Sequence, residues 1–533
     1  MSIVPYVNSD WSSDPAANCE LGVGLTEVIT ERKIGKLVWL ALGVFFFLVC
    51  ALFYVFAYNS GYGYDSLEYL VIGRALAHGQ PFYSLIPSKS PAIYYFIATF
   101  SSLGLPLNHY TVSGLITLFF AAIVLAVWFA VRRCLGNEIA IASVVLVAAC
   151  AVFMEMNFLE PEAGVFLCGL GAFVLVLRSL GTNKLLPMFF AGLLLAVGFQ
   201  FKSVAAFYLV GIGCFLIFKT LRHHKSVAHF MKFGLVIVAG FLMGGSIPVL
   251  AFDAAGNLSE YWTWTIEFPL LHYPSNTFWL DKLFTKLLWF HLLLIVSLIC
   301  ALVMRSRRAV WNNSAVTLAF FMGLASYIAL LKTQASHYCF PGAAFFCVFI
   351  SAIMLTARKK KPSLLAFRVR HIAAAAMVSL IVGASAIAYR PQALTRFAGW
   401  RSFEQEALLG MQIREQVKPG EKGLFVKNGT LLYWVSGVQP AARFINFDVQ
   451  TTYFLNRSPT ALMDGLQDES TALVEFDSLD PGYEDASFSD AASRLRLLTD
   501  FQRLLEERFR PAAISSPPYR FWVRKQAVRV GLR

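Results

Sequence analysis

Charge is scarce in this chain. Only 14% of its 533 residues are Asp, Glu, Lys or Arg, while 57% are hydrophobic and the mean hydropathy is +0.60. A water-soluble fold cannot hide that much apolar surface, so a polytopic membrane protein is expected. Cysteine chemistry is missing too. The nine cysteines form no CxxC pair and show no metal-ligand spacing. Most, such as Cys50, Cys168, Cys214 and Cys347, lie in apolar stretches, and none follows residue 390. The C-terminal region is therefore not stapled by disulfides, whichever compartment it faces. No P-loop, GxGxxG, GxSxG or HExxH stands in a supporting context. Internal repeats and low-complexity segments are absent as well. The first 27 residues are polar, and too long and acidic for a signal-peptide n-region. With no convincing small-residue cleavage site, the first apolar span is expected to stay as an anchor. The net charge of +13 does not point to nucleic acid, because the surplus sits in short runs between apolar stretches.

What is present is a series of about eleven spans of membrane length. They run near 37–58, 110–131, 138–154, 162–178, 185–200, 203–218, 230–252, 283–304, 314–331, 338–356 and 371–389. Basic residues cluster on alternate connectors: Arg32, Lys33 and Lys36; Arg132 and Arg133; Arg178 and Lys184; Lys219, Arg222, Lys225 and Lys232; Arg305, Arg307 and Arg308; Arg358 to Lys361 with Arg368 and Arg370. The positive-inside bias then predicts a cytoplasmic N-terminal tail over 1–36, a transmembrane catalytic domain over 37–390 and an extracytoplasmic C-terminal domain over 391–533. The location expected is a bacterial inner membrane.

The first outer loop, 59–108, is unusually long for a connector. It reads as two short helices lying on the membrane. Asp65 is placed as an N-cap with Glu68 completing a capping-box pattern. Leu67, Leu70, Val71, Arg74 and Leu76 follow at amphipathic spacing. His78-Gly79-Gln80-Pro81 ends that helix and Pro91 opens the next. Ile93, Phe96, Ile97 and Phe100 are expected to face lipid. Beyond residue 391 the composition becomes that of a small α/β domain. Helices are expected over Glu404–Gln416 and Ala491–Arg508, and strands at Gly423–Val426, Ala472–Phe476 and Phe521–Val523.

Chemistry-bearing side chains gather on the outer connectors. Asp65 suits a general base beside the membrane, and equally a simple helix cap. Glu160 and Glu162 suit a second carboxylate, or the acidic first turn of a helix. Glu155 reads as a solvated or helix-end residue. Lys89 and Lys202 suit the phosphate of a lipid-linked substrate, whereas Arg74 and Lys332 read as snorkelling cations. His337-Tyr338 opens a late span. Tyr261, Trp262, Trp264, Phe268, Tyr273 and Trp279 read as an interfacial belt, some lining a cleft. The tract Arg222-His223-His224-Lys225 lies among cytoplasmic basic residues and reads as part of them.

Several of these residues carry a resemblance. The run Asp65, Tyr69, Ala75, Gly79-Gln80-Pro81-Phe82-Tyr83, Lys89-Ser90-Pro91 and Tyr94-Tyr95 resembles the first-loop signature of GT-C type membrane glycosyltransferases. The branch resembled is the bacterial relatives of protein O-mannosyltransferases and of the lipid A aminoarabinose transferase. Glu160-Pro161-Glu162, Lys202 and His337-Tyr338 with Pro341 are similar to later features of that family, as is the tail from Leu424 to Pro440. Where the family often has an acidic pair, this chain has Asp65-Ser66; where it often has Lys-Pro-Pro, this chain has Lys89-Ser90-Pro91. The resemblance implies a GT-C fold and a polyprenyl-phosphate-linked sugar donor without a nucleotide-sugar site. It implies Asp65 as base, Glu160 or Glu162 assisting, and Lys89 and Lys202 holding the donor phosphate, with His337 and Tyr338. The acceptor would be a glycolipid, a polysaccharide or a protein, and transfer would invert the anomeric carbon. No metal site is expected, although Asp65 with a second carboxylate leaves room for a divalent cation. The alternative in another class is a transporter or flippase of a lipid-linked saccharide. It would call for ionisable groups at mid-span, where this sequence has almost none. A scaffold that binds cell-wall components is a third alternative.

Overall fold

Apolar runs bounded by Gly, Pro or basic pairs become helices here, because a chain in lipid must satisfy its backbone internally. The computed structural model describes residues 36–61, 63–223, 227–272, 288–303, 307–328, 336–356, 403–426, 429–445, 449–458, 460–476, 491–514 and 519–525. Helices His109–Leu135, Glu162–Thr182, Ser203–Arg222, Met231–Ala254 and His337–Leu355 are long and apolar enough to cross a membrane. Apolar helices also occupy Lys36–Ser60, Asn137–Phe153, Leu185–Phe201, Leu288–Val303 and Ser314–Ile328, at five further expected spans. The expected span at 371–389 lies outside the described residues, as do Lys332, Tyr273 and Trp279.

The described residues fall into two compact units. The first holds those within 1–59, 110–258 and 274–389. At its centre is the helix Phe340–Thr356, buried along nearly its whole length. Phe345 packs at 5.4 Å against both Phe166 and Tyr208. Helices Leu185–Phe201 and Val227–Ala254 meet backbone to backbone. A Cβ on Gly192 would stand 2.1 Å from the Ile237 carbonyl oxygen, and one on Gly240 2.2 Å from that of Phe189. Small residues permit that approach, which is how helices associate where no hydrophobic drive separates protein from lipid.

The second unit joins residues within 60–109, 259–273 and 390–533. Its five strands are β1 Lys422–Phe425, β2 Gln439–Pro440, β3 Thr471–Glu475, β4 Phe509–Pro511 and β5 Phe521–Arg524, in the order β2-β1-β3-β5-β4. β1 runs parallel to β2 and β3, while β5 is antiparallel to β3 and β4. β3 is buried throughout, as a central strand should be. The helices Phe403–Gln416 and Ala491–Arg508 fall where the sequence places them.

The first loop is built into this unit. Arg74 Nη2 donates to the Tyr433 carbonyl at 2.5 Å and Nη1 to that of Trp434 at 3.2 Å. These carbonyls belong to the last turn of helix Gly429–Ser436, where acceptors lack intrahelical donors. Arg414 donates to the next carbonyl, of Val435. Arg74 therefore caps a helix rather than snorkelling to headgroups, a correction to the sequence reading. Arg443 donates to the Tyr83 carbonyl at 3.0 Å and to Glu260 Oε1 at 2.8 Å. A second correction concerns the loop helix Ala92–Ser102. Ile93 and Ile97 are fully buried rather than turned to lipid, and Ile97 sits against Gly73, where a Cβ would lie 2.5 Å from its Cγ2.

One buried acid in this unit carries a pH signature. Glu406 is 3% exposed on helix Phe403–Gln416, on the face that also buries Leu409 and Ile413. Burial pushes its carboxyl up from 4.5 to about 7. Below pH 4.5 it is protonated in both folded and unfolded states and carries no penalty. From 4.5 to about 7 only the unfolded state sheds its proton, so stability falls as pH rises, by roughly 3 kcal/mol in all. Above about 7 the penalty is full and constant. We expect Glu406→Gln to flatten this slope and to raise stability at pH 8 by roughly 2–3 kcal/mol. Denaturant unfolding of the full chain at pH 5 and pH 8 checks it; a wild-type protein that gains stability over that interval would contradict it.

Candidate active site

Asp65 stands in the first turn of the helix Tyr64–Ala77, whose N-cap is Gly63 with no side-chain cap bond. The expected capping box is not formed. Instead Asp65 Oδ2 lies 3.0 Å from Lys89 Nζ, with the lysine side chain buried and the carboxylate 27% exposed. The Tyr69 hydroxyl, one helical turn on, reaches the same oxygen at 3.5 Å. Asp65 therefore faces Lys89, which the sequence reading grouped with Lys202 as a phosphate cation, in the same loop and the same unit.

Glu68, the expected box partner, is turned inward. It is buried, and its Oε1 accepts the Ser88 N–H at 2.7 Å and the Tyr94 hydroxyl at 2.5 Å. A glutamate three residues after an Asp reads as a box in sequence, and only the distant Ser88 and Tyr94 reveal the other use.

A second constellation lies in the other unit. Between helices Asn137–Phe153 and Glu162–Thr182 the chain turns through Met154–Pro161. Glu162 is fully buried at the first helical position and accepts a hydrogen bond from Lys202 Nζ. Lys202 is placed by a break: helix Leu185–Phe201 ends there with extended backbone, φ −162° and ψ 137°, before the chain turns again at Ser203. Its ammonium stands 3.0 Å from the Tyr338 ring centroid, a cation–π contact. His337 Nε2 is 3.8 Å from Glu160 Oε2, and its Nδ1 is 3.7 Å from Glu155 Oε2. Glu155, read from sequence as a solvated or helix-end residue, follows the end of helix Asn137–Phe153. It has φ +61°, a strained value for a glutamate, and that backbone accompanies a side chain directed at the histidine. Asn157 in the same turn is wholly buried.

Chemically, the first constellation offers a partly exposed carboxylate beside an ammonium. The second offers a cation held by a buried acid and an imidazole flanked by two carboxylates. The aromatic segment divides: Tyr261, Trp264 and Phe268 are buried, Trp264 and Phe268 against Tyr453 at 5.9 and 5.1 Å, while Trp262 is exposed.

The sequence profile of the dolichyl-phosphate-mannose-protein mannosyltransferase family matches residues 88–244. That segment contains Lys89, Glu160, Glu162 and Lys202. No curated protein sequence matches the chain. Among solved structures, ArnT from Cupriavidus metallidurans bound to undecaprenyl phosphate is similar over 92% of this chain and 99% of its own, at 12% identity and a TM-score of 0.59. The same protein in the apo state gives 0.62, again at 12% identity, over 91% and 98%. At such identity the likeness is one of fold. The resemblance read from the sequence is borne out by these findings, and with it the enzyme class, a GT-C type glycosyltransferase.

Proposed function

We propose that this glycosyltransferase moves a sugar from a polyprenyl-phosphate-linked donor to an acceptor at the extracytoplasmic face of a bacterial inner membrane. The acceptor class is a glycolipid, a polysaccharide or a protein. The observation that carries the reading is the Asp65–Lys89 ion pair in the first loop: a partly exposed carboxylate and a buried ammonium in direct contact. The family profile, which includes Lys89, supports it.

In this reading Asp65 takes the proton from the acceptor nucleophile, which attacks the anomeric carbon. The bond from that carbon to the phosphate oxygen breaks on the opposite side, and the lipid phosphate leaves with the electron pair, so the configuration inverts. Lys89 and Lys202 hold the donor phosphate and offset the charge that builds on it, together with His337 and Tyr338. Glu162 orients Lys202 through their hydrogen bond, and Glu160 faces His337. The extracytoplasmic placement of 391–533, with a cytoplasmic N-terminus, belongs to the same proposal and rests on the basic connectors.

Mass spectrometry of lipids, glycans and envelope proteins, from cells with and without the gene, tests it. We expect one sugar-sized mass to vanish from a defined acceptor on deletion and to return with the wild-type gene. An unchanged glycan and lipid profile would overturn the transferase reading.

A further inference from the structure

The loop residues Leu85–Pro91 have neither helix nor strand to fix them, yet they carry Lys89. Ile86 donates to the Arg443 carbonyl, and the two backbone donors at the lysine, those of Ser88 and Lys89, are satisfied by side chains. The Tyr94 hydroxyl donates to Glu68 Oε1 at 2.5 Å and accepts the N–H groups of Ser88 at 3.0 Å and Lys89 at 3.1 Å. Glu68 Oε1 also accepts the Ser88 N–H at 2.7 Å. The phenol thus uses its one donor and both acceptor lone pairs. A buried carboxylate is costly unless fully engaged, and the buried Val71, three residues on, shows that apolar packing alone would suit this helix face. The other half of the ion pair is referenced to the same ring. Tyr69, whose hydroxyl reaches Asp65, packs edge-to-face on Tyr94 with centroids 5.5 Å apart.

We infer that Glu68 and Tyr94 are positioning residues, which hold Lys89 against Asp65 and so set where a donor phosphate is bound. The inference rests on the phosphate role proposed for Lys89. Asp65 and Glu68 are three apart on one helix, so they share a face. One helix thereby fixes both the carboxylate and, through Tyr94, the backbone that carries its lysine. A shift of about 1 Å in such a group is enough to lose much of its effect.

The test is a double-mutant cycle on the full-length protein in lipid nanodiscs, titrated with undecaprenyl phosphate, with thermal unfolding recorded for each variant. Lys89→Ala weakens binding by about 10-fold or more and Tyr94→Phe by about 5-fold to 10-fold, whereas Tyr94→Phe added to Lys89→Ala changes it less than about 2-fold. Glu68→Ala behaves like Tyr94→Phe. Glu68→Gln, whose amide oxygen can accept the same two bonds, stays within about 3-fold of wild type. Equal losses from Tyr94→Phe in both backgrounds would overturn the inference, as would a Glu68→Gln as damaging as Glu68→Ala. If Tyr94→Phe does not fold, the two Glu68 variants run in both backgrounds decide the matter. Coupled binding in a protein that transfers no sugar would sink the transferase reading and leave this inference standing. A wild-type chain that binds no undecaprenyl phosphate overturns both.

Discussion

Asp65→Asn should lower transfer by roughly 10²–10⁴-fold while leaving the protein folded. The amide keeps the size of the carboxylate and can still accept a bond from Lys89, but it cannot take a proton from the acceptor. A loss of that size corresponds to about 3–5 kcal/mol of transition-state stabilisation. The fold should hold, because Asp65 is partly exposed and neither caps its helix nor lies in the apolar core. Initial transfer rates in membranes, with thermal unfolding of the purified variant alongside, decide the point. Activity within threefold of wild type would remove Asp65 from the mechanism.

The second large effect is expected at Lys202. Its ammonium serves a fully buried glutamate and lies over the Tyr338 ring. Removing one partner of a buried ion pair strands the other charge in the interior, and that typically costs about 3–5 kcal/mol. Lys202→Met should therefore lower the unfolding temperature sharply. Adding Glu162→Met removes the stranded charge and should restore most of the stability, since apolar residues of similar volume often replace a buried pair without loss. Transfer should not return, because the proposed phosphate cation is still missing. A double variant that regains activity would show that Lys202 works only as scaffolding, and an unchanged unfolding temperature in Lys202→Met would show that the pair is not structural.

The long helices were legible because lipid demands one solution, an internally bonded apolar run, and the tail strands because β3 is an apolar stretch flanked by turn residues. Failures came where a pattern serves two purposes. An amphipathic stripe at Ile93 and Ile97 states that an apolar surface exists, not whether lipid or protein covers it. An Asp followed by Glu at the third position spells a capping box, and nothing local reveals that Ser88 and Tyr94 claim the glutamate. Arg74 reads as a membrane-facing cation because its acceptors are some 360 residues away. Glu155 left no trace in the pattern: its contact with His337 needs a left-handed backbone and a partner from a distant helix start. Asp65, Lys89, Glu162 and Lys202 were legible as candidates, and two pairings among them are what the fold adds.

The unit that holds Asp65 is stitched from early and late chain. Arg443 donates to Tyr83 and accepts the Ile86 N–H at 2.7 Å, and the Arg74 acceptors lie in the last quarter of the sequence. Closing so long a loop is entropically cheap, since each doubling of length adds only about 0.6 kcal/mol. It does impose an order on biogenesis. While the ribosome is still making the middle of the protein, the segment bearing the carboxylate has already emerged without the surfaces that fix it. A nascent or truncated chain thus carries Asp65 on a helix whose Arg74 still lacks the Tyr433 and Trp434 carbonyls it caps. The unit that carries the carboxylate is complete only once the last-made part of the chain is present.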